Sequence, residues 1–155
     1  MKHSLFLLAL AIGATPALTG DIVIVSPWAR ATPKGAEVGS GYLSIENKGD
    51  APDRLTGGTA DFAGVEIHQM SSDNGVSTMR ELKDGLAIPA HGSVVLSPGG
   101  VHLMFTHLKH PLTKGGSVKA RLDFEHAGAV EVEFSVTGIG APGPDSMKGM
   151  KGMKM

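Results

Sequence analysis

Val118-Lys119-Ala120-Arg121-Leu122-Asp123-Phe124 and, beyond the joint Glu125-His126-Ala127-Gly128-Ala129, Val130-Glu131-Val132-Glu133-Phe134-Ser135-Val136-Thr137 decide the fold class. In both runs apolar and polar residues alternate, the period of a strand with one face on a core and one in water. Outward from this predicted hairpin the same reading covers most of the chain. Ile22-Val23-Ile24-Val25 is a β-branched run expected to stop at Pro27, and Val38 to Glu46 carries Tyr42, Leu43 and Ile45 among glycines. Segments 64–71 and 76–82 flank Asp73-Asn74-Gly75, and Asn-Gly between strand-like runs is a strong hairpin signal. Val94 to Leu96 ends at Ser97-Pro98-Gly99-Gly100, and Val101 to Phe105 follows at once. No clear period marks Pro33-Lys34-Gly35 or the loop 106–116. With 22 Gly and 9 Pro, long helices are disfavoured. The spacing predicts an all-β fold, an antiparallel β-sandwich of roughly eight to ten short strands.

The 155 residues make one domain with two dissimilar ends. Lys2 and His3 precede Leu5-Phe6-Leu7-Leu8-Ala9-Leu10-Ala11-Ile12, followed by small residues and Pro16. That is the pattern of a secretory signal peptide, assigned here to 1–20 and too short to span a bilayer. The sandwich is assigned to 21–139, and residues 140–155 are read as a disordered tail of Met, Lys and Gly. The mature protein is expected to be exported, soluble and not membrane-embedded. Lys plus Arg total 14 against 15 Asp plus Glu, so no basic stripe suggests nucleic acid. There is no Cys, which removes disulfides, thiolate catalysis, zinc–thiolate sites, iron–sulfur clusters, Cys-liganded blue copper and a lipidated Cys at the cleavage point.

The unusual residues are 8 Met and 7 His. His68 and Met70 share a strand face, as do His102 and Met104, because residues i and i+2 point the same way. If the hairpin loop is Asn74-Gly75, Met70 lies opposite Met79; if it is Ser72 to Gly75, His68 does. Either even loop puts all three on one face, whereas a three-residue loop would turn Met79 away. Thioethers are soft, neutral ligands that select Cu(I), and imidazole also suits copper. Carboxylates would suit calcium or magnesium, and zinc gains little from Met. Met on a strand is ordinarily core filler and His ordinarily solvated, but two His-x-Met pairs with a hairpin-placed Met are harder to dismiss; on spacing alone a holder of Cu(I) and ordinary packing stand level.

His68, ten residues, Met79, twenty-two residues and His102-x-Met104 resemble the H(M)-x10-M-x21-22-H-x-M signature of the PCuAC family of periplasmic copper chaperones. Flanking text is similar too: Pro27-Trp28-Ala29-Arg30, Gly41-Tyr42-Leu43, Glu66-Ile67-His68-Gln69-Met70, Met79-Arg80 and Pro98-Gly99-Gly100-Val101-His102-Leu103-Met104. The resemblance spans nearly all of 22–138. It implies a cupredoxin-like β-sandwich holding Cu(I) through His68, Met79, His102 and Met104, with Met70 as neighbour or reserve. It also implies delivery to cytochrome c oxidase, at the binuclear copper centre of subunit II, alongside thiol-containing assembly factors.

The tail residues Met147, Met150, Met153 and Met155 form a thioether strip without His, readable as a looser copper-capturing segment or as a solvated tail. His91, His107, His110 and His126 sit in turn-like contexts and are expected to be exposed, with His107 and His110 open as neighbours of the site. Trp28 is expected at the core or its rim. No nucleophile pairs with a His in a catalytic motif, and the Gly-Gly pairs do not form a phosphate loop. A carrier is therefore the leading reading. Copper storage or resistance, a copper-dependent redox enzyme and a metal-free adhesion sandwich are the alternatives.

Overall fold

The computed structural model describes residues 21–144, and all regular elements among them are strands. They are β1 (Ile22–Arg30), β2 (Gly39–Asn47), β3 (Asp53–Thr59), β4 (Gly64–Asp73), β5 (Val76–Glu81), β6 (Leu86–Ile88), β7 (Ser93–Leu96), β8 (Val101–Thr106), β9 (Ser117–Phe124) and β10 (Gly128–Thr137). The hydrogen-bonded path runs β5-β4-β8-β2-β1-β10-β9-β3-β6, and a further β3–β4 pairing closes β4 through β3 into a ring. Closure of the seven-strand ring leaves free edges only on the flanking strands β5, β6 and β7. The expected all-β, cupredoxin-like class is the observed one.

Inside lie Leu43, Ile45, Leu55, Ile67, Leu103, Phe105, Leu122 and Phe134, each nearly inaccessible to water. Phe105 meets Phe62 at 5.2 Å and Phe134 at 5.6 Å, both edge-on, the arrangement that ring quadrupoles favour. The alternation in β9 and β10 puts Leu122, Phe124, Val132, Phe134 and Val136 on this core.

The structure departs from the sequence reading at four places. β1 does not stop at Pro27: it continues to Arg30 through a register shift between Val25 and Trp28, with Ser26 at φ 49°. A bulge is where a strand tolerates a proline that cannot donate to the ladder. β1 also pairs β10 in parallel (Trp28↔Ser135, Arg30↔Thr137), so the fold is not antiparallel throughout. Residues 53–59 and 86–88 form β3 and β6, which the pattern of Asp53-Arg54-Leu55-Thr56-Gly57-Gly58-Thr59 did not announce. At Gly58 a Cβ would stand 2.5 Å from the Arg121 carbonyl, so this strand needs the residue that makes it look like a loop. Finally, chain packed on the body reaches beyond the boundary set at 139/140: Ala141 is buried against Trp28 and Tyr42.

Candidate metal centre

The β4–β5 hairpin turns on Asn74 (φ 49°) and Gly75 (φ 78°), with Asp73 opposite Val76. Positive φ at both central residues is the type I′ geometry that matches strand twist. This two-residue loop sets Met70 opposite Met79 and His68 opposite Glu81. On its other side β4 pairs β8, with His68 opposite His102 and Glu66 opposite Met104. Directly paired residues share a face. Glu66, His68, Met70, Met79, Glu81, His102 and Met104 therefore lie on one side of three adjacent strands. The reverse side of the hairpin carries Ser71–Thr78 (2.8 Å) and Arg80–Gln69 (3.3 Å), cross-strand bonds that hold this register.

Burial across the donor face is graded. His102 and Met104 are 5% and 8% exposed, whereas Met79 is 48% exposed at the hairpin rim. β8 is covered on both sides: Leu103 and Phe105 enter the core, and the ring of Tyr42 lies 6.3 Å from that of His102. Trp28 stacks at 4.5 Å on the far side of Tyr42, and the Arg30 guanidinium sits 5.5 Å from the Tyr42 centroid. Arg30 Nε donates to the Ala141 carbonyl at 2.9 Å, fastening the segment after β10 against this aromatic pair. Trp28 thus stands in a small buried cluster beside the donor face.

The two imidazoles, 6.1 Å apart between centroids, have different partners. His102 Nδ1 faces the Gly100 carbonyl at 3.3 Å, and the same carbonyl accepts from the Met70 N–H at 3.1 Å. Burial holds the His102 pKa below the ordinary histidine value; the Gly100 bond opposes this, and the charges of His68 and Arg30 add to it. A neutral imidazole is the form that binds a metal. His68 Nε2 donates to Glu66 Oε2 at 2.7 Å, while His68 Nδ1 is buried without a hydrogen-bond partner. Leaving such an atom unpaired costs about 1–3 kcal/mol, and a metal ion would satisfy it. Among the described residues no three His or carboxylate side chains gather as a metal site; besides Glu66 and Glu81, the face carries the thioethers of Met70, Met79 and Met104.

Sequence reasoning brought His68, Met70 and Met79 to one face and His102 and Met104 to a shared face, and the β4–β8 register joins the two sets on one side of the sheet. It gave Glu66 no part in the site, although the period of two from His68 already puts Glu66 on that face. His91, His107, His110 and His126 are exposed, and His91 bonds Asp50 at 2.6 Å, away from these strands. Met147, Met150, Met153 and Met155, and the leader assigned to 1–20, lie outside the described residues.

A closed β-fold with two His-x-Met pairs on neighbouring strands defines a PCuAC-type domain. Among solved structures, the chain is similar to the copper-bound PCuAC domain from PmoF2, with 30% identity, a TM-score of 0.64, and coverage of 77% of this chain and 94% of that one. The apo form of DR1885 from Deinococcus radiodurans shares the fold at 23% identity and a TM-score of 0.58, over 93% of this chain and 100% of the other. The family model described as "Putative lipoprotein LpqE-like" matches residues 22–136. A curated relative from Leifsonia xyli subsp. xyli, named "Putative lipoprotein Lxx21020", is 33% identical over 79% of this chain and 74% of its own length. The chain belongs to the LpqE-like family.

Proposed function

We propose that this protein is a periplasmic Cu(I) carrier that binds one ion through His68, Met79, His102 and Met104 and hands it on, with the copper centre of cytochrome c oxidase subunit II as acceptor, directly or through a thiol-containing assembly factor. One observation carries the reading: two His-x-Met pairs on adjacent strands meet at the register pair His68–His102, and the buried Nδ1 of His68 has no hydrogen-bond partner in the protein. The 30% identical PmoF2 domain described as copper-bound supports it. Two neutral imidazoles and two thioethers suit the monovalent, soft ion.

The graded burial suits transfer. His102 and Met104 hold the ion against the sheet, while the exposed Met79 is the ligand a partner can replace first. An incoming thiolate or imidazole would add at the rim as Met79 leaves, so copper never passes free into water. Such a site carries cargo and does not turn over a substrate. The reading includes export: residues 1–20 act as the leader, and no helix among the described residues is long and apolar enough to cross a membrane. Met147, Met150, Met153 and Met155 would form a weaker capture strip feeding the main site.

The test is competition against a Cu(I) chelator, followed by mixing the loaded protein with the apo copper domain of subunit II. One tight equivalent without a visible absorption band is expected, then, with two equivalents of loaded protein per acceptor and one-electron oxidation by added ferricyanide, appearance of the acceptor's mixed-valence copper spectrum. Tight binding without transfer would point to storage; a visible band with oxygen turnover would point to a redox enzyme.

A further inference from the structure

We infer that Glu66 is a positioning residue for the metal: it fixes the orientation of His68 so that Nδ1, not Nε2, is the atom presented to copper. The inference rests on the proposed metal reading of His68 and adds to it a ligand atom and a residue that no His/Met signature contains. Glu66 lies two residues before His68 on β4, hence on the same face, and opposite Met104 of β8. Its Oε2 accepts from His68 Nε2 at 2.7 Å, the short distance of a hydrogen bond to a charged acceptor. A neutral imidazole has one N–H and one lone pair. With the hydrogen on Nε2 the lone pair is on Nδ1, the nitrogen that is buried and without a partner.

His102 is held the other way round. Its Nδ1 is turned to the Gly100 carbonyl at 3.3 Å, which leaves the lone pair on Nε2. The two histidines, opposite each other in register, would thus bind one ion through different nitrogens. In each case a backbone or carboxylate oxygen holds the distal N–H, the arrangement that orients metal-bound imidazoles generally. The Glu66 side chain is 38% exposed and that of His68 16%, so the carboxylate stands at the solvent edge of the ring that it orients.

The experiment is long-range proton–nitrogen NMR on the full chain labelled with 15N-histidine, apo and loaded with Cu(I) or with diamagnetic Ag(I). The expected result is that Nδ1 of His68 and Nε2 of His102 move to metal-bound shifts while Nε2 of His68 stays protonated. Metal appearing on His68 Nε2 would overturn the role of Glu66 and leave the copper reading intact. No response of either His68 nitrogen while metal is bound elsewhere would remove His68 from the site altogether. Variants add a second arm. Glu66→Ala should lower Cu(I) affinity by about 10–100-fold, and Glu66→Gln, which keeps an acceptor oxygen, should recover most of that loss. Equal affinities for wild type and a folded Glu66→Ala would also overturn the inference.

Discussion

At the scale of single residues, Met70 and Met79 pose the sharpest question, because they face each other across the hairpin and only one is needed. The family-like spacing selects Met79, and its 48% exposure is what the proposed exchangeable ligand requires. Met79→Ala should weaken Cu(I) binding by more than about tenfold, equivalent to about 1.4 kcal/mol, and by clearly more than Met70→Ala does. Folding stability should move by no more than about 0.5 kcal/mol, as expected for an exposed side chain. Chelator competition and thermal unfolding of the apo proteins check the two halves. Equal and negligible affinity losses would return both methionines to surface packing.

At the scale of elements, the Asn74-Gly75 turn and the Asp53 staple separate local from global effects. Replacing Asn74 and Gly75 together by Ala forces left-handed backbone on two residues that resist it, at about 1–2 kcal/mol each. β5 is exposed along its whole length, so the expected result is faster amide exchange in β5 and weaker Cu(I) binding, with global unfolding little changed. A large drop in global stability would mean that the hairpin is part of the folding core. Asp53 acts elsewhere: Oδ1 accepts from the backbone N–H of Arg54 (2.7 Å) and His126 (2.9 Å), and Oδ2 from Ala127 (3.0 Å), tying β3 to the β9–β10 turn. Burial alone would raise its pKa, but those three donors and the nearby His126 charge together hold it below the ordinary value. A carboxyl more acidic when folded contributes stability above its unfolded pKa near about 3.9, and this is lost as pH falls through the folded value. Asp53→Ala should therefore cost about 1–3 kcal/mol at neutral pH, and the gap to wild type should shrink below about pH 4 in urea titrations. A constant gap down to about pH 2 would mean that the carboxylate charge is irrelevant. These elements also show what the sequence makes readable. Asn74-Gly75 and the period of two are local signals, and they sufficed to put His68, Met70 and Met79 on one face and His102 and Met104 on another shared face; the β4–β8 register that joins the two sets is a tertiary pairing that neither strand announces. β3 was hidden because close approach to Arg121 demands glycine where propensity would ask for a branched residue. The parallel β1–β10 seam was hidden because pairing between chain ends leaves no mark in either strand. Glu66 was legible in period, but its 2.7 Å bond to His68 Nε2 was not.

At the scale of the whole molecule, the segment that follows β10 packs through Ala141 on Trp28 and Tyr42, beside the donor face, and two truncations distinguish it from the tail. Ending the chain after Pro144 removes Met147, Met150, Met153 and Met155 but keeps Ala141 packed on Trp28 and Tyr42. That protein should keep one tight Cu(I) site and wild-type stability. Ending it after Gly138 also removes the Ala141 carbonyl that Arg30 Nε binds at 2.9 Å. A lost hydrogen bond of this kind is worth about 0.5–1.5 kcal/mol, and the uncovered aromatic surface adds to the cost. Trp28 is the only tryptophan and 5% exposed, so its emission should shift to the red in the shorter form alone. Cu(I) affinity should fall with it, because Tyr42, 6.3 Å from His102, loses the cover that keeps the imidazole out of water. Fluorescence, thermal unfolding and chelator competition on the two forms make the comparison. If the form ending at Pro144 binds no copper while the isolated tail does, the ligands are not on the sandwich. If both truncations behave alike, the segment over Trp28 is dispensable, and the buried state of His102 depends on β4, β8 and β2 alone.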